Sequence, residues 1–212
     1  MLFSDRRAGI AAMTHVTRGY GLLEKFLAQK RARTANRLIP PALRKARILD
    51  IGSGCYPYFL LNTDFAEKYG LDQVFQPDDI ERFKQQGVIL SNYDIKDNDV
   101  LPFDNDYFSV VSMLAVFEHL DVRQLVRIHR EIYRVLKPGG IYVMTTPAFW
   151  TDRLLRFLAS IGLISAVEIN EHKGSYRFSD VSRVLRDASF QDNRLEHGYF
   201  EVFMNLWVTA TK

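Results

Sequence analysis

The sequence has a single cysteine, Cys55, in 212 residues, so no disulfide can close within the chain and nothing asks for an oxidising compartment. It has no apolar run near the roughly 18 residues that cross a bilayer. Arg6 and Arg7 are not followed by the apolar stretch and cleavage site of a secretory signal, so a cytoplasmic location is expected. Internal repeats, low-complexity tracts and long linkers are also missing. What is present is ordinary for a globular protein: 47% hydrophobic and 25% charged residues, at a length that suits one domain with a sizeable core.

The net charge of +3 conceals an asymmetry. Residues 1–47 hold eleven Lys/Arg against two Asp/Glu, whereas residues 48–110 hold four against twelve. A basic arm can meet nucleic acid, an anionic membrane or an acidic substrate, and its plain alternative is a solvated helix face.

The pattern predicts helix over 5–39, with Leu22, Leu23, Phe26 and Leu27 at helical spacing and an end at Pro40 and Pro41. Strands are expected at Arg47–Ile51, Glu67–Leu71, Val88–Asn92, Phe108–Leu114 and Ile141–Thr145. Helices are expected near Pro77–Gln85 and Val122–Leu136, with a short one opening at Pro57. Lys137-Pro138-Gly139-Gly140 reads as a stop and turn. Such alternation implies parallel βαβ units with right-handed crossovers. After a helix at Ser179–Ala188, extended stretches at Asp192–Glu196 and Phe200–Thr211, joined around His197-Gly198, read as an antiparallel hairpin at a sheet edge. The expected fold is thus an α/β Rossmann-like three-layer sandwich. Its seven-stranded, mostly parallel sheet ends in the hairpin, and a helical arm precedes it. The expected layout is one domain over 1–212, with the arm at 1–45, the core at 46–147, a substrate or cap region at 148–189 and the hairpin at 190–212.

The segment Ile48-Leu49-Asp50-Ile51-Gly52-Ser53-Gly54 is an apolar strand entering a glycine loop. Gly52 and Gly54 let the backbone turn sharply and approach a ligand, and free N–H groups at a following helix start favour a polar or anionic group. Gly-x-Gly alone is weak. Pro57 stands where a dinucleotide fingerprint wants its third glycine, which disfavours a nicotinamide dehydrogenase, as does the late hairpin; no Gly-Lys-Ser/Thr follows, which excludes a P-loop.

Ile48–Gly54 resembles the first motif of class I S-adenosylmethionine (SAM)-dependent methyltransferases, with an acidic residue two positions before Gly-x-Gly. Asp72 falls 22 residues after Asp50, and Asp94-Ile95 follows the third strand. Leu101-Pro102-Phe103, Tyr107–Met113, Glu118-His119-Leu120 and Arg134–Gly140 are similar to later segments of a subfamily acting mostly on small molecules. The likeness covers roughly residues 46–147, and the order and spacing of its motifs make it specific. It implies that SAM is the cofactor and S-adenosylhomocysteine the product. It further implies that Gly52, Ser53 and Gly54 line the methionine end, with Asp50 beneath the loop. Asp72, with Gln73 beside it, would take both ribose hydroxyls, since a carboxylate accepts two donors. Asp94 would read the adenine amino group while Ile95 packs on the ring, and Leu114 completes the cofactor set. A turn or capping aspartate is the plain alternative for Asp72 and for Asp94. Two departures stand out: Tyr56 occupies a position where the family often has a third glycine, and Ser109 replaces an aspartate at a strand entry.

SAM chemistry needs an acceptor held in line, and a base only where the acceptor must lose a proton. His119 and His172 are the candidate bases, near neutrality in pKa; a structural Glu-His pair and a surface-loop histidine are their plain alternatives. Glu118, Glu171 and His172 match no metal-ligand spacing, so no metal is expected. Trp150, Leu154, Leu155, Phe157, Leu158 and Ile161 form an apolar patch. It either packs on the sheet or caps a hydrophobic or lipid-linked acceptor, and with the basic arm it could touch a membrane surface. A small-molecule or lipid-linked acceptor is expected; a homodimer is allowed. Nucleic acid is disfavoured, because no RNA-binding module or Asn/Asp-Pro-Pro-Tyr/Phe motif is present, although an RNA methyltransferase and a non-catalytic scaffold stay as alternatives.

Overall fold

The computed structural model describes residues 24–151, 176–201 and 204–212. Helix α1 (Glu24–Leu38) leads through a short 3-10 turn into β1 (Arg47–Ile51), α2 (Tyr58–Leu61), β2 (Glu67–Asp72), α3 (Pro77–Lys84) and β3 (Val88–Asn92). Then come β4 (Phe108–Leu114), a 3-10 turn at Phe117–His119, α4 (Val122–Val135), β5 (Leu136–Pro147), α5 (Phe178–Asp187), β6 (Leu195–Phe200) and β7 (Asn205–Thr211). One seven-stranded sheet runs β3-β2-β1-β4-β5-β7-β6, with β1 to β5 parallel and β7 antiparallel to both of its neighbours. This is the Rossmann-like architecture the residue pattern implied. Strand order reverses between β1 and β4, and in open α/β sheets the crevice at that reversal takes the ligand.

Burial on both faces explains why β1 and β4 are continuous apolar runs instead of alternating ones. Ile48, Val110 and Val143 pack on one face with Ala32, Ala35 and Ile39. Leu49, Val111, Tyr142 and Met144 pack on the other with residues of α4 and α5. In α4, Leu125, Ile128, Ile132 and Val135 recur at helical spacing and are all buried. A capping box starts this helix: Asp121 accepts from the Gln124 N–H at 2.9 Å, and the Gln124 side chain accepts from the Asp121 N–H at 3.0 Å.

Part of the basic arm is structural. Arg44 donates to the Asn36 carbonyl at 2.7 Å and to Thr63 Oγ1 at 2.9 Å, tying α1 to the segment ahead of β2. Arg47 pairs with Glu67 at 2.9 Å.

His129 is a fully buried member of α4. Its Nδ1 lies 2.6 Å from the Leu125 carbonyl, so Nδ1 carries the proton and Nε2 accepts from the Tyr142 hydroxyl at 2.9 Å. Burial disfavours the imidazolium and lowers its pKa to about 4. The unfolded chain therefore binds the extra proton first, and stability is lost as pH falls from about 6.5 toward 4. Tyr142→Phe strands the ring nitrogen; denaturant titration at pH 7 is expected to show a loss of about 1–3 kcal/mol.

Three boundaries differ from the sequence reading. Lys137–Gly140 does not separate helix from strand as a free turn. β5 already begins at Leu136, which pairs with Phe108, and the register shifts before Val110 pairs with Ile141. Gly139 absorbs the irregularity at φ +75, and the Lys212 backbone clamps it through bonds with Gly139 and Gly140, each 3.0 Å. His197 and Gly198 do not turn the hairpin but lie within β6, opposite Val208 and Trp207. Gly198 is there for space: a Cβ would sit 2.6 Å from the Trp207 ring. Asp192–Arg194 is a 3-10 turn, so the extended stretch starts only at Leu195. The expected helix at 5–23 lies outside the described residues.

Candidate active site

The carboxyl ends of β1, β2 and β4 meet at the glycine loop. Gly52 and Gly54 have φ +76 and +71, a left-handed conformation that side chains rarely tolerate. Gly52 N–H and Ser53 N–H both donate to the Leu71 carbonyl, at 2.8 and 3.3 Å, and Gly54 N–H donates to Asp72 Oδ2 at 2.9 Å. Three successive donors are thus used to fasten the loop to the end of β2. The N–H groups of 52–54 therefore hold the loop in place. Val116 packs over it, and a Cβ on Gly52 would come within 2.3 Å of Val116 Cγ2.

Asp72 is 8% exposed at the end of β2. Oδ1 accepts from Gln73 N–H at 2.7 Å while Oδ2 takes Gly54. Gln73 itself is exposed.

Asp50 lies deeper, on β1 between β2 and β4, opposite Gly70 and Ser112. Ser112 Oγ donates to Asp50 Oδ1 at 2.7 Å. Burial pushes the Asp50 carboxyl up to about 7; the Ser112 bond opposes this and the nearby Asp72 charge adds to it.

At the end of β3, Asn92 bridges to Phe75 through both its amide oxygen and nitrogen, each 2.9 Å, which fixes the loop after Asp72. Asp94 Oδ1 accepts from Lys96 N–H at 2.8 Å, so one oxygen serves its own turn. Ile95 packs half-buried against the core, and Arg127 of α4 binds the Ile95 and Lys96 carbonyls at 3.1 and 2.8 Å. Leu114 is half-buried at the end of β4. Tyr56 turns its ring into the core against Phe83, 5.6 Å between centroids and edge-on. The Ser109 replacement sits buried within β4.

Beyond β4, the turn Phe117–His119 places His119 half-buried at the same rim. Its neighbour Glu118 is 2% exposed and accepts from Thr146 Oγ1 at 3.0 Å. Tyr176 donates to the Leu120 carbonyl at 3.2 Å and meets the Phe117 ring edge-on at 4.8 Å. His172 and the patch at Leu154, Leu155, Phe157, Leu158 and Ile161 lie outside the described residues. The sequence pattern assigns no site role to Ser112, Val116, Asn92 or Tyr176. Their roles come from strand register and loop closure, which no local motif encodes.

Residues 49–144 match the family of methyltransferase domains. Among solved structures, the chain superposes on a SAM-dependent methyltransferase from Archaeoglobus fulgidus at 17% identity, covering 90% of this chain and 97% of that one, with a TM-score of 0.64. One from Thermotoga maritima matches at 17% identity over 90% and 91%, with a TM-score of 0.63. One from Mesorhizobium loti matches at 16% identity over 88% and 100%, with a TM-score of 0.62. At these identities the likeness is one of fold. No curated protein matches the chain by sequence.

Proposed function

We propose that this chain, whose residues 49–144 match the methyltransferase-domain family and whose sheet is Rossmann-like, transfers a methyl group from SAM to a small-molecule or lipid-linked acceptor. The observation that carries this reading is the cradle itself: two left-handed glycines in a loop held to the Leu71 carbonyl through Gly52 and to the buried Asp72 carboxylate through Gly54, at the point where strand order reverses.

The residues present fit SAM. Gly52 and Gly54 hold left-handed turns that shape the loop at the carboxyl end of β1. Asp72, buried at the end of β2 beside the loop, would take the ribose hydroxyls. Asp50 and Asp72 together favour a cation, and SAM carries a sulfonium. Gly52, Ser53 and Gly54 would line the methionine end, Asp94 and Ile95 the adenine, and Leu114 the floor near the reacting carbon. When bound, the cofactor supplies a methyl group already activated for transfer.

The chain's part is to hold the acceptor in line and exclude water; positioning of that kind is worth up to roughly 7–11 kcal/mol. For a hydroxyl acceptor, His119 at the rim would receive the proton, with His172 as the other candidate. The Tyr56 ring points into the core, so the residue that motivates a scaffold reading is accommodated by packing on Phe83. The test is transfer of labelled methyl from SAM into separated small-molecule, lipid and RNA fractions. Label in either of the first two supports the proposal. Label confined to RNA, or none anywhere from protein that binds the cofactor, contradicts it.

A further inference from the structure

Among the described residues, no helix is long and apolar enough to cross a membrane. Yet the rim beyond β5 carries a continuous row of exposed aromatic side chains. Phe149, Trp150 and Tyr199 are 38%, 43% and 38% exposed. Their rings touch in sequence, Phe149 to Trp150 at 5.0 Å and Trp150 to Tyr199 at 5.2 Å, so this is one patch and not three scattered residues.

Cations stand at both ends. The Arg177 guanidinium lies over the Phe149 ring at 4.3 Å. At the other end, Glu201 follows β6, and Lys30 and Arg31 of α1 are close enough to pull on its charge. Lys30 in turn lies over Phe26, itself 51% exposed, at 5.2 Å. Of the acids beside these cations, Glu201 is half-buried and accepts from Asn205 Nδ2 at 2.6 Å, and Asp180 caps α5 by accepting from the Arg177 N–H at 2.9 Å.

Exposed Trp, Tyr and Phe beside Lys and Arg match the chemistry of a bilayer interface: rings settle at the headgroup boundary while cations meet lipid phosphates. A water-soluble partner protein would not require cations bracketing the row at both ends. We propose that this rim docks on an anionic phospholipid surface, bringing the carboxyl end of the sheet to a lipid-embedded acceptor. The inference rests on the methyltransferase reading for its purpose, and deepens it by naming the acceptor's source.

The test is flotation of the whole protein with vesicles of phosphatidylcholine containing one-third phosphatidylglycerol, against pure phosphatidylcholine. Binding is expected to the anionic vesicles and to weaken in high salt. Trp150→Ser and Arg177→Glu should each reduce it about tenfold, while Lys84→Glu, at the opposite end of the sheet, leaves it unchanged. S-adenosylhomocysteine binding is measured on every variant as a check of fold. If Trp150→Ser fails that check, Arg177→Glu, exposed on the surface, carries the test alone. Failure of the wild type to float, or flotation that survives both substitutions, overturns the proposal. So does a dimer by light scattering that the same substitutions split, which assigns the row to a second copy. Cofactor binding without flotation sinks this inference alone; absence of cofactor binding sinks the reading beneath it.

Discussion

Replacing Gly52 with alanine is expected to lower affinity for S-adenosylhomocysteine about 100-fold while the sheet stays folded. Two costs add. At φ +76 an L-residue pays roughly 1–2 kcal/mol for the left-handed conformation. The new Cβ also lands 2.3 Å from Val116 Cγ2, and valine, branched at Cβ, has little rotamer freedom with which to retreat. The loop's alternative is to shift, which breaks the bonds of Gly52 and Ser53 to Leu71 and of Gly54 to Asp72. A total near 3 kcal/mol corresponds to about two decades in affinity. Gly52→Ala combined with Val116→Ala removes the collision but not the backbone strain, so calorimetry should recover about tenfold of the loss. No recovery would mean that Val116 does not shape the cradle.

Asp50→Asn is expected to stabilise the ligand-free protein at high pH and to weaken cofactor binding. The Asp50 carboxyl titrates near 7 in the folded protein and near 3.8 when exposed. Between those values the native state binds the extra proton, so stability falls as pH rises through the window, by about 4 kcal/mol once Asp50 is ionised. Asparagine keeps the acceptor for Ser112 Oγ and carries no charge, so the gain from the substitution grows from pH 5 to pH 8.5. His129 works in the opposite sense over nearly the same range, because its stability contribution rises with pH from about 4 to 6.5. The two offset, and wild-type stability should be nearly flat from pH 4 to 6.5. Chemical denaturation across that range should show the variant rising with pH where the wild type does not. Parallel curves would mean that Asp50 is not buried as a shared proton site. A cationic ligand beside Asp50 favours its ionised form, so wild-type affinity for SAM should increase from pH 6 to 8 and lose that dependence in the variant.

Much of this architecture is legible in the sequence because its central strands β1 and β4 are buried on both faces and read as mostly apolar runs. Arg47–Ile51, Val88–Asn92 and Phe108–Leu114 coincide with the observed strands to the residue. The glycine loop is legible as well, because Asp50, Gly52 and Gly54 stand in order and spacing with Asp72 and Asp94. What local pattern misses is tertiary. Gly198 looks like a turn residue, but its small size accommodates the Trp207 ring across a strand pair. Lys137–Gly140 looks like a stop, but the Lys212 backbone holds it in the sheet. The loop's anchoring is tertiary too: Leu71 and Asp72, some twenty residues away in sequence, take the N–H groups of Gly52, Ser53 and Gly54. Burial raises the Asp50 carboxyl, and Ser112, which the register of β1 on β4 brings alongside it, opposes that rise.

The central claim is a cofactor site built on Asp72 and the loop it holds. It is tested most directly by calorimetric titration of S-adenosylhomocysteine into the wild type and Asp72→Ala, with circular dichroism on both. The expected result is saturable one-site binding by the wild type and a loss of at least about 100-fold in the folded variant, the equivalent of two charge-assisted hydrogen bonds. No saturable binding by the folded wild type, or equal affinity in the variant, would contradict it.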